Sequence, residues 1–201
     1  MHGLHDVTLS RTLSFPSQDG PFVQILNCAQ SHWVCASNIE CKTNSIKVYD
    51  SNWSGDVPLS TKESIATLMC SQAKAIYILF PDVQQQTDNT SCGLYALAYA
   101  YTLCEGKDPT RVAYSEANLR SHFLMCLMHH AIMSFSCGRA LYHPGKPQSS
   151  KFKIYCSCRL PYAGDKMINC SKCKEWFHYT CVDLDPDTKI RGSWLCTEYM
   201  L

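Results

Sequence analysis

Seven side chains of metal-ligand type, arranged as Cys156-x-Cys158, Cys170-x-x-Cys173, His178-x-x-Cys181 and Cys196, crowd into the carboxyl-terminal part of this chain. Pairs this close let one backbone turn present two donors to a single ion, and thiolates with an imidazole are the donor set of tetrahedral zinc. A segment as short as 153–201 buries too little apolar surface to hold a fold alone, so the metal must supply folding energy. The remaining cysteines Cys28, Cys35, Cys41, Cys70, Cys104, Cys126 and Cys137 lack paired spacing and read as ordinary thiols.

The residues ahead of this module suffice for a second globular domain, and a formal net charge of +1 gives no argument for nucleic acid. The longest unbroken apolar run, Leu94 to Tyr101, is eight residues, against ~20 for a membrane-spanning helix. The first twenty residues carry no apolar signal-peptide core. The chain is therefore expected inside the cell, neither secreted nor transmembrane, with reduced cysteines. Four β-branched and aromatic runs, Phe22 to Asn27, His32 to Ser37, Ser45 to Asp50 and Ala75 to Phe80, predict strands of one central sheet. Ser60 with Glu63 has the form of a capping box opening a helix through Met69. Cys92 to Cys104, apolar on every side and followed by Gly106 and Pro109, predicts a helix in the domain centre, and Ser115 to Met133 predicts another. Ser136 to Ser150, with Gly138, Pro144, Gly145 and Pro147, reads as a linker. The expected division is a first domain over 1–135, a linker over 136–152 and a zinc module over 153–201.

Within the first domain, His32-Trp33 opens one strand, Tyr49-Asp50 ends the next, and Gln86 precedes Cys92-Gly93 by six residues. A cysteine in the first turn of a buried helix sits where unpaired N–H groups and the helix dipole favour a thiolate. His32 can accept the thiol proton, Asp50 can orient the imidazole, and the Gln86 amide can donate to an oxyanion.

These residues, in the segments "HWVCASN", "KVYDS" and "QQQTDNTSCGLYALAYAY", resemble the catalytic region of the ubiquitin-like-protein-specific (SUMO/sentrin, adenain-like) cysteine proteases of the papain superfamily. The resemblance spans residues 3 to 130. It implies an α+β fold of central sheet plus helices, with His32, Asp50 and Cys92 as triad and Gln86 as oxyanion donor. It further implies that Trp33 walls a narrow tunnel for a Gly-Gly tail. Members of that family usually carry a Trp-containing segment ahead of the first strand, which is expected to be missing here, and Ser91 stands where many have Asp.

The carboxyl-terminal ligand order, with Phe177 before His178 and Trp194 before Cys196, resembles a PHD finger, a small cross-braced fold with two zinc ions. By that similarity Cys156, Cys158, His178 and Cys181 hold one ion, and Cys170, Cys173 and Cys196 belong to the other. The eighth ligand expected three residues later is replaced by Tyr199. The stretch "IYCSCRLPYAGDKMINCSKCKEWFH" is similar to fingers that bind a trimethylated histone lysine, which implies a cage of Tyr155, Tyr162, Met167 and Trp176, since aromatic faces attract a quaternary ammonium. The joint expectation is a nuclear thiol peptidase or isopeptidase that cleaves after the Gly-Gly tail of a ubiquitin-like modifier and is coupled to a reader of methylated histone tails. The alternative is a catalytically inactive chromatin-binding or ubiquitin-like-binding protein in which only the finger works.

Overall fold

The computed structural model describes residues 20–28, 31–140, 145–185 and 187–199. Residues 1–19, which hold the start of the resemblance at residue 3, and the Tyr199 side chain lie outside the described residues.

β1 (Val23–Cys28), β2 (His32–Ser37), β3 (Ser45–Tyr49) and β4 (Ala75–Phe80) coincide within a residue with the strands read from sequence. They pair in that order, antiparallel except for the parallel β3–β4 pair. The crossover between the parallel strands is α1 (Leu59–Met69). The pleat sends Leu26, Val34, Ala36, Ile46, Val48, Ile76, Ile78 and Phe80 to one face, where Ile65, Ala66 and Leu68 of α1 complete a core. The opposite face packs Ile25, Cys35 and Tyr49 against α2 (Cys92–Cys104), so α2 is enclosed by the sheet on one side. Its far side meets β5 (Val112–Tyr114), Leu119 of α3 (Glu116–Met128) and Phe135. Three phenols buried there find partners: Tyr99 donates to the Gln84 carbonyl at 2.5 Å, Tyr114 and Thr102 share a bond of 2.7 Å, and Tyr95 accepts from Gln84.

Helix ends depart from the sequence reading in two places. The Ser60–Glu63 capping box does not form, because Pro58 in extended conformation already presents its carbonyl to the N–H groups of Thr61 and Lys62, placing Ser60 inside the first turn. The third helix ends at Met128, not Met133: His130 turns left-handed at φ 51°, and bonds from His130 to the Leu127 carbonyl and from Ala131 to that of Cys126 close the end. Gly106, at φ 71°, closes α2 in the same way, as expected of it.

The larger correction concerns the linker. Residues 137–139 form β6 (Cys137–Arg139), paired with β5, and β7 (Gln148–Lys153) is the outer strand of the main sheet, antiparallel to β4 over six residue pairs. Backbone bonding to β4 holds this segment, and Phe152 and Ile154 enter the core beside Ile76. Beyond it, β8 (Met167–Asn169) and β9 (Trp176–His178) form a two-stranded ribbon at the centre of the carboxyl-terminal module. No helix among the described residues is long and apolar enough to cross a membrane.

Candidate functional site

The carboxyl ends of the parallel strands β3 and β4 run on as two loops, 50–53 and 81–91, and their side chains interlock. Gln86 donates its N–H to the Ser51 carbonyl at 2.8 Å while the Ser51 hydroxyl donates to Gln86 Oε1 at 2.7 Å. Gln85 donates to the Asp50 carbonyl and accepts from the Trp53 N–H. Gln84 ties the same run to α2 and β5 through Tyr95 and Tyr114. Each glutamine of the triplet thus secures a different neighbour.

Asp50 accepts from the Asn52 N–H at 2.8 Å and meets His32 Nε2 at 2.7 Å with the same carboxylate oxygen. The ring is about one quarter exposed and the carboxylate about one tenth, with side-chain accessibilities of 24% and 10%. Asp50 raises the His32 pKa above its ordinary value, against an opposing effect of burial, and the Cys92 thiol adds to the rise as a second hydrogen-bond partner. Because Nε2 faces Asp50, Nδ1 is the ring nitrogen left for Cys92. The structure therefore brings His32, Asp50 and Cys92 together.

Cys92 is buried and is the first residue of α2. The turn before it is organised by Asp88, whose carboxylate accepts from the N–H groups of Thr90 and Ser91 at 2.8 Å and from the Ser91 hydroxyl at 2.7 Å. Those bonds hold the Asp88 pKa low. The first-turn N–H groups of α2 have no acceptor within the helix, so they point outward beside the sulfur. Gln86 Nε2 gives one proton to the Asp88 carbonyl at 2.6 Å and retains a second. Trp33 lies across the start of the helix, 38% exposed, and a Cβ added at Gly93 would come 3.6 Å from its ring. Beside Asp50 a cleft of about 380 Å³ is lined by Trp53, Phe80, Asp82, Gln85, Lys146 and Gln148. Ser51 and Asp88 were not singled out from sequence. An Asp four residues before the first residue of a helix is a weak Asx-turn signal, and Ser51 gives none.

In the carboxyl-terminal module, the ligand atoms of Cys156, Cys158, His178 and Cys181 lie within 4.8 Å of one another, as do those of Cys170, Cys173 and Cys196. Zinc–sulfur bonds of about 2.3 Å in a tetrahedron require sulfurs about 3.8 Å apart, and a sulfur and an imidazole nitrogen about 3.6 Å apart. The Cys173 and Cys196 sulfurs are 3.9 Å apart, and His178 Nδ1 lies 3.3 Å from the Cys158 sulfur and 3.8 Å from that of Cys181. Thiolates this close repel unless a cation lies between them. Zinc fits both groups. His178 Nε2 is buried without a hydrogen-bond partner among the described residues, so the ring takes its orientation from the nitrogen facing the sulfurs.

Residues 156–198 match the family model of the PHD-finger. The chain is 54% identical over 35 residues to the lysine-specific demethylase phf2 of Danio rerio, covering 17% of this chain and 3% of that protein. It is 39% identical over 36 residues to the COMPASS component SPP1 of Saccharomyces cerevisiae, covering 18% and 10%. It is 35% identical over 57 residues to the nucleosome-remodeling factor subunit NURF301 of Drosophila melanogaster, covering 27% and 2%. Residues 156–198 form a PHD finger. The chain spans a tenth or less of the length of these three relatives. No solved structure matches it.

In the PHD finger, Met167 pairs with His178 and Asn169 with Trp176, so Met167 and Trp176 lie diagonally on one face of the ribbon. Trp176 is 46% and Tyr162 57% exposed, values at odds with a role in covering a core. Tyr155 and Tyr162 flank the first zinc knuckle, and Tyr155 bridges to Leu160. By contrast, Tyr179 of the finger is buried, and Phe177 packs edge-on to Trp194 at 5.5 Å.

Proposed function

We propose that the finger binds a histone tail carrying a trimethylated lysine, with Tyr155, Tyr162, Met167 and Trp176 around the ammonium, and that the chain works on chromatin in the nucleus. The supporting observation is the exposure of Trp176 and Tyr162 on a finger whose zinc-ligand geometry is complete at the first site. Methylation removes the hydrogen-bond donors of lysine, so a site of rings and a thioether favours the methylated form. The relatives named above are a demethylase, a COMPASS component and a nucleosome-remodeling subunit, which is consistent with this reading.

A second activity is favoured by one specific arrangement, the Asp50–His32–Cys92 group at the start of a buried helix. In this reading the first domain is a papain-like cysteine peptidase that cuts after the Gly-Gly tail of a ubiquitin-like modifier. The Cys92 proton passes to His32 Nδ1, and the thiolate attacks the scissile carbonyl. Gln86 and the first-turn amides of α2 stabilise the oxyanion, and the imidazolium returns its proton to the leaving amine. Water, deprotonated by His32, then attacks the thioester and releases the carboxylate. Trp33 over Gly93 would leave room for glycine and little else in the approaching tail.

Treating the full chain with a ubiquitin-like protein that ends in an electrophilic Gly-Gly group separates the two activities. Labelling of wild type and its loss in Cys92→Ala is the expected outcome. Absence of labelling in a folded sample that still binds a methylated tail peptide would leave the chain a reader alone.

A further inference from the structure

We propose that the first zinc site is a structural member of the amino-terminal domain, because metal at Cys156, Cys158, His178 and Cys181 holds Arg159 against the carboxyl end of α1. This rests on the reading of that site as a zinc site. The finger and the sheet share chain without an interval: Ile154, 1% exposed in the main core, lies two residues before the first ligand. The Ile154 N–H bonds to the Lys74 carbonyl, and Leu160, just past the knuckle, packs on the same core. Between them, Tyr155 N–H donates to the Leu160 carbonyl and closes the loop that carries Cys156 and Cys158.

Arg159 leaves that loop toward the turn after α1. Its Nε donates to the Ser71 carbonyl at 3.1 Å, and its Nη2 donates to the Ala73 carbonyl. The turn needs such a partner. The last turn of α1 contains no basic residue, and its terminal carbonyls and the negative end of its dipole favour a cation there. Arg159 supplies the charge from another module. Its own backbone is left-handed at φ 57°, as is that of Cys156 at φ 63°. Residues with a Cβ pay for that conformation, so it persists only while something closes the knuckle. An ion binding both cysteine sulfurs does so. The turn receiving Arg159 leads directly into β4, whose far end carries Pro81 and the Gln84–Gln86 run beside Asp50. Metal in the finger therefore steadies the strand that supports the other site.

Hydrogen exchange on the full chain, with zinc counted by native mass spectrometry, tests this. Removing zinc with a chelator is expected to speed exchange of amides in 71–80 about ten-fold or more, the effect of losing charge-assisted bonds, while β1 keeps its protection. Arg159→Ala should show the same acceleration at 71–74 with its zinc count unchanged. Cys158→Ser should reproduce the chelator effect at 71–80, and Cys173→Ser, at the second site, should not. Loss of first-site zinc with loss of protection confined to 155–198 would overturn the proposal, as would unchanged exchange at 71–74 in Arg159→Ala. A native mass without zinc would instead overturn the reading of the site, so the two failures are distinguishable.

Discussion

Replacing Asp50 with Asn tests the His32 pair without removing its geometry. An amide oxygen at this position can still accept from His32 Nε2 and from the Asn52 N–H, now 2.7 and 2.8 Å from the carboxylate, so only the charge is lost. A hydrogen bond to a charged partner contributes about 1.5–3 kcal/mol and a neutral one about 0.5–1.5 kcal/mol, which sets the cost at about 1 kcal/mol when the ring is protonated. Asp50 raises the pKa of His32 in the folded state, so the folded protein binds the proton more tightly than the unfolded chain does. That contribution is complete below the unfolded histidine value of about 6.5 and disappears as pH rises through the folded value. Urea unfolding at about pH 5.5 should therefore show Asp50→Asn less stable than wild type by about 1 kcal/mol, with the gap closing as pH rises through the raised folded-state value. An NMR titration of the His32 ring should show its midpoint move down in the variant. A gap that widens with pH, or a midpoint unmoved or raised, would refute the pairing as the source of the shift.

Ser51→Ala removes a buried hydroxyl that donates to Gln86 Oε1 at 2.7 Å. It should destabilise the chain by about 1–2 kcal/mol in urea and slow labelling of Cys92 by the Gly-Gly electrophile, whereas a role in packing alone would change stability and leave labelling untouched. Trp176→Ala should weaken binding of a trimethyl-lysine peptide about ten-fold or more by calorimetry, as a desolvated cation–π contact of about 2 kcal/mol requires. A loss equal for methylated and unmodified peptides would argue against the cage.

The parts legible from sequence are those in which chemistry constrains residues that are close in the chain. The strands β1 to β4 announce themselves because each alternates or runs apolar between polar breaks, and α2 because its apolar surface has no polar face to give to water. His32, Asp50 and Cys92 were recognisable as types and order. Their convergence depends on the start of β2, the end of β3 and the start of α2 meeting at one end of the sheet. Ser51 and Asp88 act through backbone turns, and a serine or aspartate in a loop looks alike whether or not it supports a neighbour. The stretch from Gln148 to Phe152 reads as a linker in sequence because an edge strand pairs through its backbone, and only Phe152 in it is buried.

The ligand spacing alone determined that residues 156–196 gather metal, since paired cysteines two or three positions apart leave a short chain few other ways to fold. The hydrophobic pattern likewise determined a sheet with a buried helix. Tertiary structure decided where the finger sits. The pairing of β4 with β7 and the reach of Arg159 to the carbonyls of Ser71 and Ala73 join residues 68 to 88 positions apart. Backbone groups are the same at every position, so no local pattern specifies which of them will meet.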